Sequence, residues 1–262
     1  MADTPHLSLV MPAYNEAAGI ADAVAEAHES LAGLGYEFEI IVIDDGSRDS
    51  TAAEVWELMA IWPRVRLITH EKNLGYGAAL RTGFEAARYE LVAFTDSDNQ
   101  FFLDDLDDLV RRTREAPVVV GRRVARQDPW RRRFLSWGYN VLARTFLGTG
   151  VHDVDCALKV FRREALAYLL PESCGFFVNS EMLCRARAFG WTVVEVGVRH
   201  RPRTRGESKV SLTEIPRTFA TLMRFWWRHV LWATPFAMPA RAEPVLLPFP
   251  KSRAEPPYRK AA

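Results

Sequence analysis

Cysteine is scarce in this sequence, and its arrangement excludes two kinds of cross-link. Cys156, Cys174 and Cys184 are odd in number and stand in no C-x-x-C spacing, which disfavours a disulfide framework or a zinc site and fits a reducing, cytosolic compartment. Long apolar runs are also missing. Arg224, Arg228 and His229 interrupt the most hydrophobic C-terminal stretch, so no membrane-spanning segment is expected. No basic, apolar and small-residue succession opens the chain, so no secretory signal is expected either. Net charge is nearly absent, with 34 Lys plus Arg against 33 Asp plus Glu, which argues against a general nucleic-acid binder. No internal repeat or low-complexity tract appears.

What is present is a chain of 262 residues, 48% hydrophobic, large enough to fill a substantial core. Its charges are segregated. Acids gather over 96–108, while Arg122, Arg123, Arg126, Arg131, Arg132 and Arg133 form one basic cluster, and Arg199, Arg201, Arg203, Arg205 and Lys209 form a second. Such a division suits a protein that handles both a metal and phosphates.

Apolar patterning predicts strands over 7–11, 36–44, 65–69 and 91–95, separated by helices. The first helix runs to about residue 34 with Asn15 as its cap, the second opens on a Thr51–Glu54 capping-box pattern, and the third spans 76–87. Strands alternating with helices indicate βαβ units and a mainly parallel sheet. The second half is less regular, with strands predicted over 118–121, 157–161 and 192–198 and helices over 130–147 and 181–189. Gly75-Tyr76-Gly77 resembles a dinucleotide fingerprint only in passing. It does not follow the first strand and lacks the third glycine, so it reads as a tight turn with close helix packing.

The strand over 91–95 ends in Asp96-Ser97-Asp98-Asn99-Gln100. Side chains two apart on an extended chain share a face, so Asp96 and Asp98 are expected to point the same way. Open α/β sheets bind ligands at strand ends, and a Mg²⁺ or Mn²⁺ ion that also touches a diphosphate needs only one or two protein carboxylates. The competing reading is a polar turn into a helix over 103–115, with Asp104, Asp105, Asp107 and Asp108 favouring its dipole.

Several loops share this theme. Pro12-Ala13-Tyr14-Asn15-Glu16, Asp44-Asp45-Gly46-Ser47-Arg48-Asp49-Ser50-Thr51, Lys72-Asn73-Leu74-Gly75, the Asp96 to Gln100 run, Asp153-Val154-Asp155-Cys156-Ala157-Leu158-Lys159 and Arg205-Gly206-Glu207-Ser208-Lys209 follow in order. The ordered set resembles glycosyltransferase family 2, most closely its polyprenyl-phosphate sugar synthases, the group containing dolichyl-phosphate mannose synthase. The resemblance covers residues 7–215.

It implies a GT-A-type α/β fold, with a mainly parallel sheet flanked by helices. It also implies inverting transfer from a UDP- or GDP-sugar to a polyprenyl phosphate. Pro12, Tyr14, Glu16, Ile43 and Asp45, with Asp96, Ser97 and Asp98, would bind the nucleotide sugar. Asp96, Asp98 and Gln100 would hold the Mg²⁺ or Mn²⁺ ion. Arg123, Arg132, Arg205, Ser208 and Lys209 would surround the acceptor phosphate, and Glu181 would be an acid near the acceptor or sugar. Asn99 stands where related sequences often have glycine. Asp153 remains open as a base or an orienting group. A phosphomonoester, with a second pKa of about 6, is already ionised at neutral pH and needs holding more than deprotonating. Rival readings are a soluble hydroxyl acceptor on the same fold, a phosphatase of the haloacid dehalogenase type, and a non-catalytic nucleotide-sugar or membrane-binding module.

The expected organisation is a catalytic domain over 1–211, an amphipathic segment over 212–238 and a loosely ordered tail over 239–262. In the middle part Leu212, Ile215, Phe219, Leu222, Trp226 and Val230 recur at helical spacing, opposite Glu214, Arg217, Thr221, Arg224 and Arg228. With Trp226, Trp227 and Trp232 near basic residues, the segment has the makeup of an interfacial anchor. The expected location is therefore the cytoplasmic membrane surface, with a homo-oligomer or a membrane subunit left open as further partners.

Overall fold

The computed structural model describes residues 5–124, 130–202, 214–232 and 234–236, and the side chains of all of these except 130–135 and 214–217. Four βαβ-type strands open the fold: β1 (His6–Ala13), β2 (Glu37–Asp44), β3 (Val65–Thr69) and β4 (Leu91–Phe94). Between them lie α1 (Ile20–Gly33), α2 (Thr51–Ile61) and α3 (Tyr76–Ala86). Seven consecutive residues of β1 and of β2 are buried, as expected for parallel strands covered on both faces.

After β4 come a 3₁₀ turn (Leu103–Asp105), α4 (Leu106–Arg112), β5 (Val118–Val124) and α5 (Trp130–Leu142), which widens into a π turn at Ala143–Leu147. Then follow β6 (Lys159–Arg162), α6 (Arg163–Leu169), α7 (Val178–Ala188) and β7 (Val193–Arg199). The sequence pattern does not announce α6. Its buried residues Ala165, Leu166, Tyr168 and Leu169 fill little more than one turn, too short for a repeat to be legible.

The seven strands form one sheet in the order β3-β2-β1-β4-β6-β5-β7. Only β6 runs against the rest, pairing antiparallel with β4 and β5. Connections from β1 lead outward to β2 on one side, and β4 lies on its other side. The order therefore reverses between β1 and β4, and the crevice at their carboxyl ends is where such sheets bind ligands. The expectation of a mainly parallel α/β sheet flanked by helices is met.

Two expected helix starts are corrected. Helix α1 begins at Ile20 after Gly19. Asn15, with φ of 51°, instead accepts the Arg48 amide through its side chain and donates its own amide to Ser47 Oγ, binding the loop after β1 to the loop after β2. The Thr51–Glu54 box does not form either. Thr51 lies inside α2, where its hydroxyl donates to Asp49 and accepts the Glu16 amide at 2.9 Å. Both residues serve inter-loop contacts that local spacing cannot reveal.

The C-terminal segment contains α8 (Glu214–Phe225), continued by a π turn at Trp226–Leu231. Leu222 is fully buried with Leu147, Phe177 and Cys184, while Phe225 meets Phe177 at 5.1 Å and Trp226 meets Phe146 at 5.5 Å between ring centroids. Phe219, Trp227, Val230, Leu231 and Trp232 are exposed. The predicted single stripe is thus split. Leu222 and Trp226 dock on the domain, and the wider turn from Trp226 rotates Val230 off the stripe. Among the described residues no helix is long and apolar enough to cross a membrane. The tail over 239–262 lies outside the described residues.

Candidate active site

The turn after β4 is braced from three sides. Ser97 is buried and donates its hydroxyl to the Pro12 carbonyl at 3.0 Å, tying the turn to the end of β1. Asp96 and Asp98, on either side of it, are half-buried. Asp98 Oδ1 accepts the Gln100 amide at 3.2 Å, and Asp96 Oδ1 accepts the Tyr76 hydroxyl at 2.8 Å. Asn99 has φ of 55°, a left-handed conformation that asparagine tolerates better than most residues, which accounts for its standing at a glycine-type position. Gln100 is buried, and its amide side chain reaches the Arg201 carbonyl at 3.4 Å. Arg201 braces the same turn by donating to the Asn99 carbonyl and pairing with Glu26.

Asp45, at the end of β2, is almost completely enclosed. Its two oxygens accept the amides of Leu74 at 2.9 Å and Gly75 at 2.8 Å, and His70 Nδ1 lies 2.7 Å from Oδ1. The far side of the His70 ring reaches Thr82 Oγ1 at 3.0 Å. This carboxylate therefore shapes the 70–75 loop that flanks the crevice. Glu16 is buried and Tyr14 half-buried in the loop after β1. The Ile43 side chain is fully enclosed in the core.

The start of α3 is clamped by the 171–176 loop. The Gly77 amide donates to the Cys174 carbonyl at 2.7 Å, and a Cβ at Gly77 would come within 2.0 Å of the Ser173 carbonyl oxygen. Only glycine permits that approach, as the Gly75-Tyr76-Gly77 pattern leads one to expect. Tyr76 between them stacks on Phe176 with centroids 5.5 Å apart. Burial first, and then the charges of Asp96, Asp98 and Asp155, hold the Tyr76 phenol well above its ordinary pKa, so it stays a donor.

Glu181 holds the other side of this clamp. Its carboxylate accepts the amides of Glu172 and Ser173 at 2.8 and 2.9 Å, and Arg185 Nε at 3.1 Å. It is buried, and these contacts are those of a loop anchor.

Arg123, placed at the acceptor phosphate by resemblance, and Asp153, left open as a base or an orienting group, are paired with each other. Arg123 Nε and Nη2 grip the two Asp153 oxygens at 2.8 and 2.6 Å, and the Arg123 amide adds a third contact at 3.1 Å. Both side chains are less than a tenth exposed. Burial disfavours the guanidinium charge, but the hydrogen bonds and charge of Asp153 outweigh it, and the Arg123 pKa is raised. The fork is thus turned onto the Asp153 carboxylate. Nearby, Lys159 is buried and donates to the Val154 and Cys156 carbonyls and to Asn179 Oδ1. Burial pulls its pKa down to about 8. Three backbone and side-chain acceptors so gather the 153–157 loop around one amine.

The site residues not evident from spacing are Tyr76, Asp155 and His70. Asp155 is half-buried and acts electrostatically on Tyr76 and on Tyr139. The only advance signal is its place in the Asp153 to Lys159 run. Arg205, Ser208 and Lys209, and the side chain of Arg132, lie outside the described residues.

A mixed sheet of this order, with a carboxylate pair at its switch point, defines a GT-A glycosyltransferase domain. The model of glycosyl transferase family 2 matches residues 8–170, and the chain belongs to that family. Among its relatives are the glycosyltransferase AglD of Haloferax volcanii, 36% identical over 85% of this chain and 37% of its own length, and dolichyl-phosphate beta-glucosyltransferase ALG5C of Trichomonas vaginalis, 30% identical over 87% and 73%. Undecaprenyl-phosphate 4-deoxy-4-formamido-L-arabinose transferase of Pseudomonas aeruginosa is 32% identical over 78% and 60%. The chain thus spans from 37% to 73% of the length of these relatives. In structure it is similar to glucosyl-3-phosphoglycerate synthase of Mycobacterium tuberculosis, solved with Mn²⁺ and UDP, at a TM-score of 0.64 and 24% identity over 84% of this chain and 79% of that one. That likeness shows the fold.

Proposed function

We propose that this chain transfers a sugar from a UDP- or GDP-sugar to a polyprenyl phosphate, with inversion, at the cytoplasmic surface of a membrane. The observation that carries the reading is that Asp96 and Asp98 stand on one braced turn at the switch point of the sheet. Two relatives whose names specify a dolichyl or an undecaprenyl phosphate support the acceptor class. Residues 1–211 would form the catalytic domain, 212–238 a membrane-interface segment and 239–262 a tail.

The donor set fits Mg²⁺ or Mn²⁺. Among the described residues no three His, Cys, Asp or Glu side chains converge to hold an ion alone. Asp96 and Asp98 would therefore share an ion with the diphosphate and water, as these hard cations commonly require. Such an ion stabilises negative charge on a leaving diphosphate as a Lewis acid. The protein's own part is to bind and orient. In the transfer, the bond from the anomeric carbon to the β-phosphate oxygen breaks with its electron pair on the nucleoside diphosphate. An acceptor phosphate oxygen forms the new bond from the opposite face. No proton need be removed from an ionised phosphate, so Arg205, Ser208, Lys209 and Arg132 would hold the acceptor. Asp153, spent on Arg123, suits an orienting role.

The test is incubation with membranes and a panel of labelled UDP- and GDP-sugars, followed by organic extraction. Divalent-ion-dependent label in the lipid phase is expected. Label found only in a water-soluble product would replace the lipid by a soluble acceptor.

The exposed Trp227, Leu231 and Trp232, beside Arg224 and Arg228, would supply the membrane contact, since tryptophan and basic residues favour that interface. Flotation on anionic liposomes should carry the intact protein upward, and the exposed double substitution Trp227→Ser, Trp232→Ser should leave most of it at the bottom. Equal flotation of both would remove these residues from the contact.

A further inference from the structure

The geometry points to Tyr76 as a positioning residue for Asp96, held in place by a clamp that runs from the buried Glu181–Arg185 pair through the 171–176 loop. The inference rests on the reading of Asp96 as a metal ligand and adds to it a residue that no charge or spacing pattern singles out.

Each link is a contact. Arg185 Nη2 lies 3.0 Å from Glu181 Oε1 and 2.6 Å from Glu172 Oε1, so the carboxylate that accepts the Glu172 and Ser173 amides is itself fixed in orientation. The loop it anchors presents the Ser173 and Cys174 carbonyls to α3, where Gly75 and Gly77 lack the Cβ atoms that would strike them at 2.5 and 2.0 Å. The Gly77 amide closes the contact on the Cys174 carbonyl. Tyr76, caught between the two glycines, has its ring fixed by Phe176, and its hydroxyl reaches Asp96 Oδ1 at 2.8 Å. A terminal carboxylate torsion is broad when nothing restrains it. A hydrogen bond to one oxygen narrows that rotation and so directs the other, which is the usual service of groups bonded to metal-binding carboxylates. A tyrosine needed only for packing would not require its hydroxyl, and phenylalanine would serve.

Tyr76→Phe is therefore the informative variant, because it keeps the ring and its stacking on Phe176 and removes one oxygen. Titration calorimetry would measure Mn²⁺ binding with saturating UDP and, separately, GDP, for the wild type and the variant. The Mn²⁺ dissociation constant should rise by about tenfold or more, with the melting temperature and metal-free nucleotide binding unchanged. In transfer assays the Mn²⁺ concentration for half-maximal rate should rise in step, and excess Mn²⁺ should restore most of kcat. Wild-type protein that binds no Mn²⁺ with either nucleotide would overturn the reading of Asp96, and this inference with it. Tight wild-type binding that Tyr76→Phe leaves within twofold would overturn the inference alone. So would a loss of activity that excess Mn²⁺ does not rescue and that accompanies a lowered melting temperature, because that is the signature of a structural role.

Discussion

Replacing Asp96 and Asp98 together by alanine is expected to lower sugar transfer by about a thousandfold or more while leaving a folded protein. A ligated divalent ion and the preorganised charges around it carry several kcal/mol of transition-state stabilisation in displacements that leave an anion. The fold should tolerate the change because both side chains are half-buried in a turn, outside the core. Alanine at these positions gives up the hydrogen bonds from the Tyr76 hydroxyl and the Gln100 amide, each worth about 1 kcal/mol. Ser97, which ties the turn to Pro12, remains. Transfer measured across a Mn²⁺ series, beside thermal unfolding of the same samples, checks both halves. Undiminished transfer by the double variant in the presence of a chelator would sink the assignment.

Asp153→Ala is expected to destabilise the protein by about 3–5 kcal/mol, because it strands the Arg123 guanidinium in a site from which water is largely excluded. The pair is bidentate, buried on both sides and reinforced by a backbone amide. Arg123→Ala should cost a similar amount. A loss of that size is a large share of a typical folding free energy of roughly 5–15 kcal/mol. Arg123→Met with Asp153→Leu should cost much less than the sum of the single changes, since it leaves no charge unpaired. Urea unfolding of the four proteins measures the coupling, and additive losses would contradict the pairing. Asp153→Asn separates stability from chemistry. If Asp153 orients and does not take a proton, the acid limb of the pH–rate profile should keep its position in that variant. Loss of that limb would mark Asp153 as the base.

The first four strands and the carboxylate pair are legible from residue order alone, and for definite reasons. Continuous apolar runs such as Ile40 to Ile43 report burial on both faces, and Asp96 and Asp98 stand in the turn that directly follows β4. These are local rules, with a period shorter than the elements they describe. Gly75-Tyr76-Gly77 is likewise readable as a close-packed turn, because the absence of a Cβ is a property of the residue itself.

Pairings between distant segments are decided by the tertiary structure. Arg123 and Asp153 are 30 residues apart, Tyr76 and Asp96 are 20, and Asp45 and Gly75 are 30. Charge marks such residues as sites of chemistry without indicating that a partner already occupies them. Glu181, placed near the acceptor or sugar by resemblance, accepts the amides of a loop that precedes it in sequence. The reversed β6, which pairs Lys159 with Phe94 of β4, is likewise fixed by pairing across tens of residues. The residue order determined a parallel α/β sheet of family 2 and the turn that would bind its metal. Which carboxylates face the crevice and which are consumed in holding it open depends on contacts across tens of residues, where no period survives and only the packed chain brings the partners together.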